Sequence, residues 1–509
     1  MSSSASSKSL GKKYKHGPNK KTKVAKVFPK HVNTPAGTDD ARVNFFFKSA
    51  RGLEQGELNQ LLQASWEVSP LDTLKLVFQL RDCRGGKGER TLFQQSLVWM
   101  NGVSPSTVEK NFKHVPEFGS WKDVVQLIGT TVEPLALESI TTQLKKDVES
   151  LSKDQEKAKI SLAAKWAPTE GHSDPTSSKA CKKIALLLSA NKSTAKKDYR
   201  KNYLVPLRKH LDVVERKMSA NQWNEISYSK VPSRCMKLQR KAFERHEPSL
   251  FAEYIESLKK GETKVNAKQL FPHEIVKEYL KGIAKDDILE EQWKVLEQEV
   301  RKLGSLKDAL VLSDVSGSMS GTPMEVSIAL GILISSVVAP PFKDLVITFH
   351  ETPTFHKVTG DSLRDKVSNL AAAPWGGSTN FNRAFEMILE KAKQNKLPQE
   401  DMPKKLFVIS DMAFDTADGK YSKKSNHDAM IDQYKDAGYV PPQLIYWNVN
   451  GNSQCGVTDS SKTEGVGLIS GFSPSILKAV IETGESSSIT PKDLMEAAIN
   501  DKRYADLVV

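Results

Sequence analysis

Residues 309–320 read ALVLSDVSGSMS. The opening run is short and wholly apolar, as in a strand buried on both faces. A polar turn follows, with Asp314, Ser316 and Ser318 at alternate positions around Gly317. Alternate residues of an extended loop lie on one side, so the three oxygens can converge, and Gly317 lets the turn close tightly. Downstream, PMEVSIALGILISSVV has the length of a helix and LVITF is again a strand. The rhythm continues through the helix NRAFEMILEKAK, the strand KLFVIS, the helix HDAMIDQYKDAG, the strands QLIYWNV and GVGLIS, and the helix SPSILKAVIE. Such alternation predicts an α/β, Rossmann-like domain over residues 304–509, with a mostly parallel sheet between helical layers.

Ligands of such sheets bind beyond the carboxyl ends of the strands. Two more polar loops fall there. PWGGSTNFN precedes the helix NRAFEMILE, and SDMAFD follows KLFVI, adding Thr379 and Asp411. Two carboxylates and three hydroxyls are hard oxygen donors of the kind that hold Mg²⁺ or another divalent cation. A lone Asp-x-Ser-x-Ser is weak evidence, being often a turn with a capped helix behind it; the ordered set is more specific. The competing reading is that these groups only cap helices and satisfy loop amides. Asp415 and Asp418 lie close by in sequence and serve equally as surface loop residues. The set resembles the metal-ion-dependent adhesion site of von Willebrand A (vWA) domains. That resemblance implies that Asp314, Ser316, Ser318, Thr379 and Asp411 hold the cation. It also implies that an open coordination position accepts an acidic side chain from a partner protein.

Upstream the pattern differs. LNQLLQASWEV, PLDTLKLVFQLRD and RTLFQQSLVWM place apolar residues three or four apart, and DILEEQWKVLEQEVRKLG is an amphipathic helix leading into the last domain. Residues 41–303 are therefore expected to form an all-α region of helical hairpins, HEAT-like but without a clean repeat period. A polar stretch near 148–180 reads as an exposed connection. Residues 1–40 read as a disordered basic tail with little to bury, fitting a nuclear import signal, a nucleic-acid arm or a solubilising tail.

The net charge of +13 is unevenly placed. Residues 1–30 hold nine lysines and no acid, residues 305–509 sum to −5, and residues 181–245 carry 17 Lys and Arg against 5 acids. Such a patch is either a solvated helical face or a surface that concentrates polyanions. Its candidate RNA-binding residues are Lys196, Lys197, Arg200, Lys201, Arg208 and Lys209, with Arg234, Lys237, Arg240 and Lys241 on a second helix face. Arg200, Arg208 and Arg216 share a helical side if the helix runs on past Pro206. Tyr203, Trp223 and Tyr228 either stack on unpaired bases or pack between helices. Arg84, Lys87 and Arg90 flank three glycines in CRGGKGER. That loop either presents amides and cations to phosphate or is a helix–helix turn whose glycines allow close packing.

No stretch is apolar enough for a membrane span or a secretory signal. The four cysteines are scattered without a CxxC pair, which suggests neither zinc nor a disulfide framework. No nucleophile–base pair, phosphate loop or dinucleotide fingerprint is present, so a non-enzymatic protein in the cytoplasm or nucleus is expected. His210, Asp212 and Glu215 read as a salt-bridged surface group, and Cys83 and Cys235 as structural.

Several stretches of the helical part carry a further resemblance: LRDCRGGKGER, VPEFGSWKDVVQL, AAKWAP, YLVPLRKHLDVVERKMSANQWNEISYSKVPSRCMK and FPHEIVKEYL. Their order, followed by a vWA-like domain, is similar to a family of unknown function found in plants, fungi, protists and large DNA viruses. Its layout resembles that of the Ro (TROVE) ribonucleoprotein autoantigens, in which a ring of helical hairpins is closed by a vWA domain. The resemblance implies binding of structured RNA by a ribonucleoprotein scaffold. The alternative is a protein–protein adaptor that grips an acidic partner residue at the cation site. In a third reading any cation merely holds the loops together.

Overall fold

Helices fill the chain from Ala41 to Leu303, and strands begin only at Ala309. The computed structural model describes residues 37–170, 175–304, 306, 308–349, 353–373, 381–412, 426–451, 457–483 and 489–509. Most of the expected tail lies outside these residues. The described chain is multidomain, a helical region followed by a mixed sheet with its own helices.

The first helix, α1 (Ala41–Lys48), starts where the Asp40 carboxylate accepts the Arg42 N–H at 2.9 Å. Its Phe45, Phe46 and Phe47 are all buried. A helix buried around its circumference needs neighbours on several sides, and α1 lies against both α2 (Gln55–Val68) and the C-terminal sheet. Ser69 ends α2 and caps α3 (Pro70–Arg81), accepting the Asp72 N–H at 3.2 Å, with Pro70 preset for the first turn. The loop between α3 and α4 (Thr91–Val103) folds back on α3, with Lys87 and Glu89 N–H donating to Gln79 and Leu80 carbonyls at 3.1 and 2.8 Å.

The stretch 148–180 is only partly the exposed connection expected. The helix Glu133–Lys153 runs well into it, and Ala163, Ala164 and Ala167 are buried in the main core. Their small side chains let the short helix Ala163–Trp166 seat closely among its neighbours. The chain also continues past Pro206. A π-helical turn (Tyr199–Leu204) joins the helices Ala195–Asp198 and Val205–Leu211, and Pro206 occupies the first turn of the latter. The segment ends at Asp212, in the left-handed region at φ 45°. A second core, separate from the main one, gathers Tyr228, Met236, Phe243, Phe251 and Tyr254.

The sheet comprises β1 (Ala309–Asp314), β2 (Leu345–Phe349), β3 (Thr354–Lys357), β4 (Lys405–Ser410), β5 (Gln443–Asn448) and β6 (Val466–Ser470). Its order is β3-β2-β1-β4-β5-β6. All neighbours are parallel except β3, which pairs antiparallel with β2 at the edge. Sequence periodicity missed β3, where three half-buried residues and the exposed Lys357 give no clean alternation. Helix Thr322–Val337 crosses beneath β1, β2 and β4 and is covered by other helices, which explains its apolar surface on all sides. It approaches β1 so closely that a Cβ on Gly331 would lie 2.3 Å from the Ser313 hydroxyl. Among the described residues no helix is long and apolar enough to cross a membrane.

Candidate functional site

In this sheet the strand order reverses between β1 and β4, the first two strands to lie side by side across the centre. In open α/β sheets the crevice beyond such a reversal is where ligands settle. Asp314 ends β1 and Asp411 follows β4, so both carboxylates reach that crevice. Asp314 is fully buried and Asp411 nearly so. Asp314 Oδ1 accepts the Ser316 N–H at 2.8 Å, and Oδ2 accepts the Ser410 hydroxyl at 2.5 Å. Neither Lys, Arg nor His pairs with Asp314 among the described residues. Ser316 and Ser318 hydroxyls lie 3.0 Å apart across the turn Gly317–Met319. Burial raises the Asp314 carboxyl above its ordinary range, and the nearby Asp411 charge pushes the same way. A buried carboxylate beside a second carboxylate and two hydroxyls suits a hard divalent cation. Thr379, Asp415 and Asp418 lie outside the described residues. A cavity of about 520 Å³ opens beside the turn, lined by Ser316, Gly317, Gly321, Met324 and Leu280.

The cationic candidates separate into three groups. Lys87, Lys237 and Arg240 are buried and are not a surface for RNA. Lys87 Nζ donates to the Phe46 and Ser49 carbonyls and the Ser470 hydroxyl, and burial pushes it down to about 7. Arg240 donates to Asp286 at 2.5 Å, and Lys237 lies 3.6 Å from Glu278. Sequence spacing hid this because the partners come from some forty residues downstream. The middle of the Gly-rich loop is thus the packed turn of the second reading, where a Cβ on Gly86 would stand 2.0 Å from the Gln79 carbonyl, while Arg84 and Arg90 at its ends stay accessible.

A second group lines a cavity of about 570 Å³: Lys196, Arg200, Arg208, Lys209 and Arg216. Arg208 donates to the Ala164 and Ala167 carbonyls at 2.8 and 2.7 Å, and Lys196 pairs with Glu170. Lys197, Arg200, Lys201 and Lys209 are exposed and form no ion pair among the described residues, with Asp198 near Lys197 and Lys201, and Lys241 is likewise exposed on its own helix. Of the aromatic candidates, Tyr228 is buried in the second core, and Trp223 stacks on His246 at 3.9 Å. Tyr203 packs partly buried against the main core.

The third group unites residues that sequence kept apart. Arg84 and Arg90 of the first patch and Arg234 of the second line one cleft of about 740 Å³. Arg51, Arg81, Lys268 and Phe271 complete it; no local signal in the sequence marked them. His210 Nε2 faces the Ala158 carbonyl at 2.7 Å, Asp212 pairs with Arg216 and Lys217, and Glu215 with Lys165. Burial raises the Cys235 thiol to about 11.

The arrangement can be set beside known proteins. Residues 308–505 match the family model described as Domain of unknown function (DUF7788). Residues 31–139 and 138–306 match the one described as Domain of unknown function (DUF2828). The Uncharacterized protein L728 of Acanthamoeba polyphaga mimivirus is 31% identical over 476 residues, covering 87% of this chain and 82% of the relative. The chain belongs to the DUF2828 family. In this DUF2828 protein the passage from one matched model to the next, at residues 306–308, falls between the helix Asp287–Leu303 and β1. The cation-site candidates all lie in the DUF7788 part, and the three cationic groups lie in the DUF2828 part. Both models are of unknown function, and neither is a vWA or TROVE model.

Proposed function

We propose that the chain is a non-enzymatic RNA-binding scaffold, a TROVE-like array of helical hairpins joined to a vWA-type domain. That domain would hold a divalent cation through Asp314, Ser316, Ser318, Thr379 and Asp411. The observation that carries the cation reading is the meeting of Asp314 and Asp411 beyond adjacent strands, where the sheet order reverses. When bound, the ion would supply a Lewis-acidic position for an oxygen ligand. The chain's own part is to orient Asp314 through Ser410 and Ser316, and to keep the two serine hydroxyls on one side of the turn.

The RNA reading rests on Lys197, Arg200, Lys201 and Lys209, which are exposed on one continuous helical segment and form no ion pair among the described residues. Phosphate contacts of this kind release counterions and are salt-dependent. Filter binding of the full chain to a structured RNA tests it. Affinity falls steeply between about 50 and 200 mM salt, and charge reversal at Lys197, Arg200 and Lys201 weakens it by at least about tenfold. Binding indifferent to salt and to these reversals defeats the reading.

The adaptor reading is favoured by the cavity of about 520 Å³ beside Ser316 and Gly317, which leaves room for a partner side chain. It predicts protein partners lost on chelation or with Asp314→Ala but resistant to RNase. Calorimetry that finds no Mg²⁺ binding, or equal binding by Asp314→Ala, sinks both cation-dependent versions.

A further inference from the structure

We infer that the cleft lined by Arg84, Arg90, Arg234 and Lys268 is a binding site for a nucleotide-sized phosphate monoester. This inference stands apart from both the cation site and the Arg200 surface.

Charge is the first argument. Six cationic side chains line the cleft: Arg51, Arg81, Arg84, Arg90, Arg234 and Lys268. A seventh, Lys122, is close enough for Arg90 and Arg234 to repel it. Among the described residues their carboxylate partners are Asp123, Glu89, Glu299 and Glu274. Arg81 and Arg90 share the single Asp123, each at 2.9 Å, while Ser120 takes a further lone pair. Arg51 pairs with Glu89 at 2.9 Å and Lys268 with Glu299 at 3.1 Å. Arg234 holds Glu274, which also accepts the Phe271 N–H at the start of its helix. Among the described residues the Arg84 guanidinium donates to the Glu117 carbonyl and to no carboxylate. Lys122 has no ion-pair partner among the described residues and lies over the Trp166 ring at 5.5 Å. An arrangement with more cations than carboxylate partners repels itself until an anion enters. Guanidinium forks fit phosphate oxygens in pairs.

Shape is the second argument. About 740 Å³ is ample for a nucleotide and lies within the usual range of small-molecule sites. The lining also has an apolar share, Leu270, Phe271, Leu296 and Val300. Phe271 is half-buried, with the Arg51 guanidinium 5.8 Å from its ring. A flat heterocycle can lie against this apolar lining with its phosphate toward the arginines. Gln126 and Gln269 add amides able to read a base edge.

The test is calorimetry on the full chain with adenosine monophosphate, adenosine and inorganic phosphate. A short oligoribonucleotide with a 5′-phosphate or a 5′-hydroxyl completes the series. Adenosine monophosphate is expected to bind and adenosine to bind at least about tenfold more weakly. Arg84→Gln with Arg234→Gln should weaken the phosphorylated ligand by a further tenfold or so, with an unchanged melting temperature in its absence. Glu299→Gln removes an acid from the cleft and should tighten binding, a result that misfolding cannot mimic. A preference for the 5′-phosphorylated oligonucleotide that vanishes in the double variant assigns the phosphate to an RNA end. A preference seen with adenosine monophosphate alone assigns it to a free nucleotide. Equal binding of phosphorylated and unphosphorylated ligands, or no binding of either, overturns the inference. So does loss of binding on charge reversal at Arg200 and Lys201 but not in the cleft variant.

Discussion

Arg503 grips Asp82 with both arms of its guanidinium, Nε to Oδ2 and Nη2 to Oδ1, each at 2.8 Å. Asp82 is fully buried at the end of α3, and it also accepts the Tyr504 hydroxyl at 3.1 Å and the Arg84 N–H at 2.9 Å. Removing one partner of a buried pair strands the other charge. Arg503→Ala should therefore destabilise the protein by about 3 kcal/mol, near the lower end for such pairs because two donors remain. Urea unfolding measures the loss, and Asp82→Asn with Arg503→Ala should recover part of it.

Lys87 acts as a cap rather than as a phosphate contact. Its ammonium meets the Phe46 and Ser49 carbonyls at the C-terminal end of α1, where backbone acceptors lack helical donors. Lys87→Met keeps the volume but leaves those acceptors poorly served. It should cost about 2 kcal/mol and speed proteolysis within α1, with no change in RNA affinity.

His273 supplies an acid limb to the stability curve. Burial first, and then the charges of Arg51, Lys237, Lys277 and Arg234, push its imidazole from an ordinary value near 6.5 down to about 3. Between these values the unfolded chain binds a proton that the folded chain refuses. The contribution is complete above pH 6.5 and is lost as pH falls toward 3, at up to about 1.4 kcal/mol per pH unit. Denaturant titrations across this window should show a shallower slope for His273→Phe, which retains the packing on Phe271 and Phe472.

Gly86 tolerates no side chain. Its Cβ would press into the Gln79 carbonyl, which also accepts the Lys87 N–H at 3.1 Å. Gly86→Ala must move backbone, at a cost of at least about 2 kcal/mol. Thermal melts should place it well below Gly102→Ala, whose Cβ would meet nothing within 4 Å.

The strands β1, β2, β4, β5 and β6 were legible because each is a short apolar run bounded by polar turns, the mark of burial on both faces. So were most helices, through their periodicity. The edge strand β3 was not, since three half-buried residues followed by an exposed one leave no pattern. At the candidate site, Asp314, Ser316, Ser318 and Asp411 were legible because the loops follow readable strands. The standing of the cations was not. Lys87 and Arg200 look alike in sequence, but one is enclosed by α1 and β6 while the other faces solvent. Burial of a charge depends on acceptors supplied by distant segments, and spacing carries no record of them. The cleft assembles Arg51, Arg90, Arg234 and Lys268 from four separated stretches for the same reason.

The seat of α1 has a consequence for where such a chain can be divided. Its Phe46 carbonyl takes the Ser470 hydroxyl at 3.0 Å, and Arg51 just beyond it takes the Gly451 N–H at 3.0 Å. Removing the DUF7788 part would uncover the side of α1 that lies against β6, and removing the DUF2828 part would uncover that side of β6. Each part finishes the interior of the other. A cut between them would expose apolar surface on both sides of it, and the alignment with the viral relative runs over 87% of this chain.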